Sequence, residues 1–131
     1  MSKFITTSFA LMILLVTASF SMASEDNITC ALTWVNECSP DQGCKEWSIE
    51  EMALPRFVRI DLNKKTVTSL DKAITRTSKI SAIDRLEGMV VMHGTEQRGW
   101  SIALGEDSRN LTLSASGDGE GFIVFGSCID N

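Results

Sequence analysis

The 131-residue chain has no tyrosine, one histidine, two prolines and few aromatic residues. A single histidine, His93, excludes metal sites built from several imidazoles and leaves few groups for proton transfer near neutral pH. Basic residues are the minority, with 12 Lys and Arg against 17 Asp and Glu and a formal net charge of −5. An acidic chain without a basic stripe argues against nucleic acids and anionic membrane surfaces as partners.

Residues 1–23 have the features of an export signal. Lys3 provides a positive start, Phe9 to Val16 is an apolar run, and Ser21-Met22-Ala23 places small residues where a signal peptidase reads. The run is too short to span roughly 30 Å of hydrocarbon, so we expect cleavage after Ala23 rather than a retained anchor. The sequence predicts a signal peptide over 1–23, one domain over 24–131, a periplasmic or secreted location, and no membrane association after cleavage.

Four cysteines follow the expected signal, which in a short exported domain indicates disulfides. Of the three possible connectivities we favour Cys38–Cys44 and Cys30–Cys128. The first pair encloses the turn-forming residues Ser39-Pro40-Asp41-Gln42-Gly43, and the second then joins the first strand to the last. A zinc site is the alternative, but the spacing has no Cys-x-x-Cys pair and an oxidising compartment does not favour free thiolates.

Alternation of apolar and polar residues with a period of two dominates the chain after residue 28. Short strands at Val58–Leu62, Met89–Met92, Trp100–Leu104 and Phe122–Phe125 are separated by turn residues, as in an antiparallel meander. At most one short helix is expected, over Trp47–Leu54, where Ser48 and Glu51 have the spacing of a capping box.

The fold class is therefore predicted as all-β, a small antiparallel meander that closes into a barrel, with a two-layer β-sandwich as the alternative. Cys30 shares a face with Ile28, Leu32 and Trp34 in the alternation, so both this tryptophan and the cysteine are expected to point into the core. A bond to Cys128 would place the first strand beside the last, where a closed up-and-down sheet brings them together.

Candidate catalytic and metal-binding residues are few, and we predict no catalytic residue, no metal and no cofactor. His93, Ser101 and Asp84 on neighbouring hairpins could form a hydrolytic cluster, but no Gly-x-Ser-x-Gly elbow accompanies them. Asp41, or Asp118 with Glu120, supply too few oxygens for calcium.

Three aromatic residues are the candidates for contact with a ligand or partner. Trp47 lies outside any strong alternation and is either a binding anchor or a lid over one barrel mouth. Phe57 and Phe125 stand opposite the apolar faces of their strands, so they are expected to be exposed and could form a docking patch.

Several sequence features resemble a group of short, uncharacterised exported proteins of Gram-negative bacteria. The likeness rests on the Cys30/Cys38/Cys44 cluster, on Leu54-Pro55-Arg56-Phe57 followed by Asp61, on Gly99-Trp100-Ser101, and on Gly121-Phe122 with Gly126-Ser127-Cys128. The resemblance implies a periplasmic compartment and a similar fold, and it implies no activity.

The sequence predicts a non-catalytic binding module that takes an unknown protein or a small apolar ligand. The alternatives are an inhibitor of an envelope-acting hydrolase and a structural partner in envelope assembly. A small hydrolase that uses His93 is the least favoured interpretation, because nothing else in the chain completes a catalytic site.

Overall fold

A computed structural model of the protein describes residues 26–131, so the expected signal peptide lies outside the described residues. The described part consists of antiparallel β-strands and turns, without a helix. The strands are β1 (Asn27–Ser39), β2 (Gly43–Trp47), β3 (Phe57–Asp61), β4 (Thr66–Ser69), β5 (Thr77–Lys79), β6 (Ala82–Leu86), β7 (Met89–Gly94), β8 (Gly99–Gly105), β9 (Asn110–Ser116) and β10 (Gly121–Asp130). The all-β prediction is confirmed.

These strands form one curled sheet in the order β5-β4-β3-β1-β10-β9-β8-β7-β6, with β2 paired to the second half of β1. The sheet curves into a half-barrel, which agrees with a meander that closes toward a barrel. Its inner face holds the core, whose fully buried side chains include Val35, Ile60, Ile80, Met92, Ile102, Leu104 and Leu111. No helix within residues 26–131 meets the length and apolarity that a membrane crossing requires.

The two edges of the sheet are consecutive in the chain. Every neighbouring pair of strands from β5 around the sheet to β6 is antiparallel. Because eight such pairings separate β5 from β6, these two strands run in the same direction. The Ile80 amide donates to the Lys65 carbonyl, and the Ser81 amide donates to the His93 carbonyl. Residues 77–86 therefore act as one interrupted strand that pairs first with β4 and then with β7, leaving a gap beside β5.

Both disulfides have the predicted pairing. Cys30 and Cys128 lie directly opposite each other on β1 and β10, 98 residues apart in the chain, and both are buried. Cys38 and Cys44 close the short turn between β1 and β2. The first bond joins the first strand to the last inside the sheet, as the sequence indicated.

The orientation predicted for Trp34 was wrong. A bulge between Leu32 and Trp34 shifts the β1–β10 register by one residue, so that Leu32 and then Val35 point into the core. Trp34 consequently lies on the outer face with 44% of its surface exposed. The bulge brings β1 so close to β10 that a Cβ on Gly126 would stand 2.3 Å from the Ala31 carbonyl oxygen.

The helix considered over Trp47–Leu54 is replaced by consecutive turns. The capping box nevertheless forms: the Glu51 amide donates to Ser48 Oγ at 3.2 Å, and the Ser48 amide donates to Glu51 Oε2 at 2.9 Å. The hydrogen bond from the Ser48 backbone amide to the carboxylate, followed by one from the Ser48 side chain, lowers the pKa of the Glu51 carboxyl. Pro55 ends the segment before a helix can propagate.

Candidate binding site

The inner face of the half-barrel contains a cavity of about 300 Å³, which lies at the lower end of the volumes typical of small-molecule sites. We call this space the inner cavity. Its lining is mainly apolar and comes from most of the sheet. The lining side chains are Leu32, Val35, Met52, Leu54, Pro55, Val58, Val67, Trp100, Ile102, Leu113, Ala115, Phe122 and Val124, with polar groups at one side.

Trp100 on β8 is the largest side chain that faces the inner cavity. Gly94 lies opposite it on β7, and a Cβ there would overlap the indole ring at 2.1 Å. The absence of a side chain at Gly94 therefore lets the indole lie against the β7 backbone rather than fill the space. Trp100 remains half-buried, packed on the core on one side and open to the cavity on the other.

The polar part of the lining, which we call the mouth of the inner cavity, lies between the β4–β5 connection and the β7–β8 turn. Ser69, Arg76 and Ser78 border it on the β4–β5 side, and Glu96, Gln97 and Arg98 border it on the turn between β7 and β8. Arg76 Nη2 donates a hydrogen bond to Gln97 Oε1 at 2.9 Å, which connects the two sides.

The turn that carries Gln97 has an unusual backbone. Its φ of 59° lies in the left-handed region, which costs energy for a residue with a side chain. Strained positions of this kind persist where the surroundings hold them, and they cluster at ligand sites. Here the conformation presents the Gln97 amide to Arg76 across the gap.

The charges at the mouth balance. Arg98 Nη1 pairs with Glu120 Oε1 at 2.9 Å, and its guanidinium stands 4.6 Å from the centre of the Phe122 ring. Arg76 and Glu96, of opposite sign, also border the opening, and neither makes an ion pair within residues 26–131. Two cations and two anions leave no net charge to attract an ionic head group.

Trp47, a predicted contact residue, is half-buried against the core and does not line the inner cavity. It stands opposite Val35 across the β1–β2 pair, and Lys45 Nζ lies 3.8 Å from the centre of its ring. The cation and the core contacts cover much of the indole, which makes Trp47 a poorer anchor for a partner than an open indole would be.

Phe57 and Phe125 lie on the outer face, 50% and 41% exposed, as the alternation predicted. They are separated from the inner cavity by the thickness of the sheet. Trp34 lies beside them because of the bulge, opposite Phe125 in the register. Their contact role remains a prediction, and the sequence did not identify Trp34 as a member of this surface.

The His93, Ser101 and Asp84 cluster is partly assembled. His93 and Ser101 are opposite each other on β7 and β8, and His93 Nε2 lies 3.2 Å from Asp84 Oδ2. All three occupy the outer face, outside the inner cavity, whereas the hydrolase interpretation requires them in one concavity.

The acidic residues weighed as calcium ligands lie in turns. Asp41 is in the turn between β1 and β2, and Asp118 and Glu120 are in the turn between β9 and β10. In the part of the chain that the structure describes, no three His, Cys, Asp or Glu residues are grouped closely enough to hold a metal ion.

Most of the residues that form the inner cavity were not identified from the sequence. Trp100 was expected in the core, but Arg76, Gln97 and Arg98 lie in turns whose meeting depends on how the sheet curls. The one sequence signal for the mouth is the polar segment Thr95-Glu96-Gln97-Arg98-Gly99, which reads as an ordinary hairpin turn.

Comparison of the chain with known protein families, with curated proteins and with solved structures finds no match. The resemblance to exported Gram-negative proteins consequently remains an expectation, and the candidate function depends on the geometry alone.

Proposed function

We propose that the protein is a non-catalytic binding module whose inner cavity takes a small, single-chain apolar ligand with an uncharged polar head. The observation that carries the proposal is an apolar cavity of about 300 Å³ on the inner face of the sheet, with its polar lining grouped at the β4–β5 connection and the β7–β8 turn.

The size and chemistry of the inner cavity support a short hydrocarbon chain. Burial of each CH₂ contributes about 0.8 kcal/mol, and the lining offers almost continuous apolar contact over the length of such a chain. A small β-barrel of about eight strands leaves room for one small ligand, which matches a volume in this range.

The mouth favours an uncharged head group. Ser69 and Ser78 offer hydroxyls, and Gln97 offers an amide. The charges offset one another, because Arg98 is paired with Glu120 and the two remaining charged lining residues, Arg76 and Glu96, are of opposite sign. A carboxylate would meet Glu96 and an ammonium would meet Arg76, so either ion would lose hydration without a net electrostatic gain.

Export is part of the same proposal. Two disulfides are compatible with an oxidising compartment, and the expected signal over residues 1–23 would deliver the chain there. A periplasmic or secreted binding module would then meet its ligand outside the cytoplasm.

The direct test is a titration with straight-chain alcohols from hexanol to decanol, followed by tryptophan fluorescence. Trp100 borders the inner cavity, so binding should change its emission. We expect affinity to rise about fourfold for each added CH₂ until the cavity is full, since about 0.8 kcal/mol corresponds to that factor. Decanol should bind more tightly than decanoate or decylammonium.

Two neighbouring residues on β9 provide the control. Ala115 lines the inner cavity and Ser114 is on the opposite face of the same strand, so Ala115→Phe fills the cavity and Ser114→Phe does not. We expect Ala115→Phe to weaken decanol binding at least roughly tenfold and Ser114→Phe to leave it within about twofold. Equal affinities in two folded variants, or no binding by the wild type, would contradict the proposal.

A further inference from the structure

The exposed apolar residues of the protein are concentrated on one face. Within residues 26–131, seven large hydrophobic side chains are exposed; five of them lie on the outer face of β3, β1 and β10, and a sixth follows directly after β4. We call these six the outer stripe: Trp34, Phe57, Leu70, Ile123, Phe125 and Ile129. Only Leu86, at the end of β6, lies elsewhere.

The fold actively places the central member of the outer stripe. Without the bulge, Trp34 would follow Leu32 into the core, and the bulge turns it outward beside Phe125. The glycine at position 126 makes room for the bulge, and the Thr33 hydroxyl donates to the Phe125 carbonyl at 3.2 Å. Bulges commonly re-aim a side chain in this way, which indicates that the outward position of Trp34 has a use.

The apolar area is close to what a stable interface needs. At exposures from 39% to 66%, the six side chains present on the order of 500 Å² if a whole side chain contributes roughly 150–250 Å². A specific interface buries about 800 Å² on each partner, of which about 65% is apolar at its core and in homodimers. Exposed Trp and Phe are also the residue types that anchor interfaces.

The arrangement of large and small side chains on the outer face of β1 and β10 fits a second copy of the protein. In the β1–β10 register, Ala31 and Ser127 form a row of small residues, with Phe57 beside Ala31 on β3, and Trp34 and Phe125 form the next row of large residues. A two-fold axis that lies in the interface and crosses β1 between these rows brings the large row of one copy onto the small row of the other. Each copy then supplies both the protrusion and the recess, as an isologous dimer requires.

The charged residues at the two ends of this face are also related by the proposed two-fold axis. Arg59 lies at one end of the face, in the row of Thr29 and Ile129, and Glu46 lies at the other end, in the row with Asn36 and Ile123. The same axis places Arg59 of one copy opposite Glu46 of the other, and Ile129 opposite Ile123. Opposite charges at the rim favour this register over a sliding contact.

We propose that the protein forms a homodimer in which the outer stripes of two copies pack face to face about this axis. The two sheets would stack like the layers of a β-sandwich, with the Trp34 side chains at the centre. The inner cavity of each copy would remain open on the far side of its sheet, so ligand binding and dimerisation would not compete.

Sedimentation equilibrium of the intact, disulfide-bonded protein from about 1 µM to about 0.5 mM tests the proposal, because dimerisation depends on concentration. We expect a monomer–dimer equilibrium that Trp34→Ala weakens at least roughly tenfold. Leu86→Ala, which removes an equally exposed side chain outside the outer stripe, should leave the dimer dissociation constant within about twofold.

A charge exchange distinguishes this dimer from other modes of association. Arg59→Glu and Glu46→Arg should each weaken the dimer, and the double variant should restore it because the opposite charges meet again across the axis. A wild-type monomer throughout this range, a dimer insensitive to Trp34→Ala, or a double variant no better than the single ones would overturn the proposal. So would a monomer that instead co-sediments with phosphatidylcholine vesicles through Trp34.

Discussion

Gly126 has no side chain at the point where β1 approaches β10, and this determines which side chains of β1 reach the outer face. The Ala31 carbonyl and the Leu32 backbone approach the position where a Cβ would stand, at 2.3 Å and 3.4 Å. This approach allows the bulge in β1, and the bulge decides which face receives Trp34. A period-two alternation cannot show a bulge, since the extra residue reveals itself only in the pairing with β10.

We expect Gly126→Ala to lower the free energy of unfolding by about 1–3 kcal/mol, because the new methyl group must push β1 away from β10. Gly121 on the same strand is the matched control, since nothing lies within 4 Å of a Cβ there. Gly121→Ala should change stability by less than about 0.5 kcal/mol in urea denaturation. An equal loss in both variants would show that β10 tolerates neither side chain and that the bulge is not the cause.

Individual strands show which parts of the fold could be predicted from the sequence and which could not. The strands β7 and β8 follow from clear alternation between turn residues, and their ends were predicted within two residues, whereas β10 continues five residues beyond the predicted end at Phe125. Residues 77–86, in contrast, form a strand interrupted at Ile80 and Ser81, and the sequence pattern does not show this interruption. Which neighbour each part pairs with depends on the curl of the whole sheet.

The turn over residues 48–51 gives a prediction about pH. Hydrogen bonds from Ser48 lower the pKa of Glu51 below its ordinary value of 4.5, so the ionised carboxylate stabilises the folded turn. This contribution is complete above pH about 4.5 and is lost as the pH falls through the lowered pKa. Ser48→Ala removes the side-chain hydrogen bond and keeps the backbone amide, so it should raise the Glu51 pKa only part of the way toward 4.5 in a carboxyl NMR titration, while Ser39→Ala should not move it.

At the scale of the whole molecule, the two disulfides should contribute unequally. The Cys30–Cys128 bond spans 98 residues and the Cys38–Cys44 bond spans six. Loop-closure entropy then predicts a loss of about 4–5 kcal/mol for the long bond and about 2 kcal/mol for the short one, as upper figures. Both pairings could be inferred from the sequence, because turn residues identify the short loop and leave one partner for each remaining cysteine.

Thermal unfolding of Cys30→Ala/Cys128→Ala and Cys38→Ala/Cys44→Ala checks this order. The first double variant should have the lower melting temperature by a wide margin, since it also loses two buried side chains between β1 and β10. A larger loss for the second would mean that the β1–β2 turn, and not the β1–β10 seam, limits the stability of the fold.

The inner cavity is the part of the molecule that the sequence could not predict. Its apolar lining is the ordinary core face of several strands, and space remains there because the Trp100 indole lies against Gly94, with the mouth between the β4–β5 connection and the β7–β8 turn. Arg76 and Gln97 are 21 residues apart in the chain and meet only across this opening. Residue types alone therefore suggested a binding module, and the ligand site and ligand class that we propose come from the geometry of the cavity.

Methyl-resolved NMR during a decanol titration tests the central claim most directly, because it reports which face of the sheet the ligand touches. We expect saturable shifts at Met52, Leu54 and Leu113, which line the inner cavity, and none at Ile123 and Ile129 on the outer face. Shifts confined to Ile123 and Ile129, or no shift at any of these methyl groups up to the solubility of decanol, would contradict it.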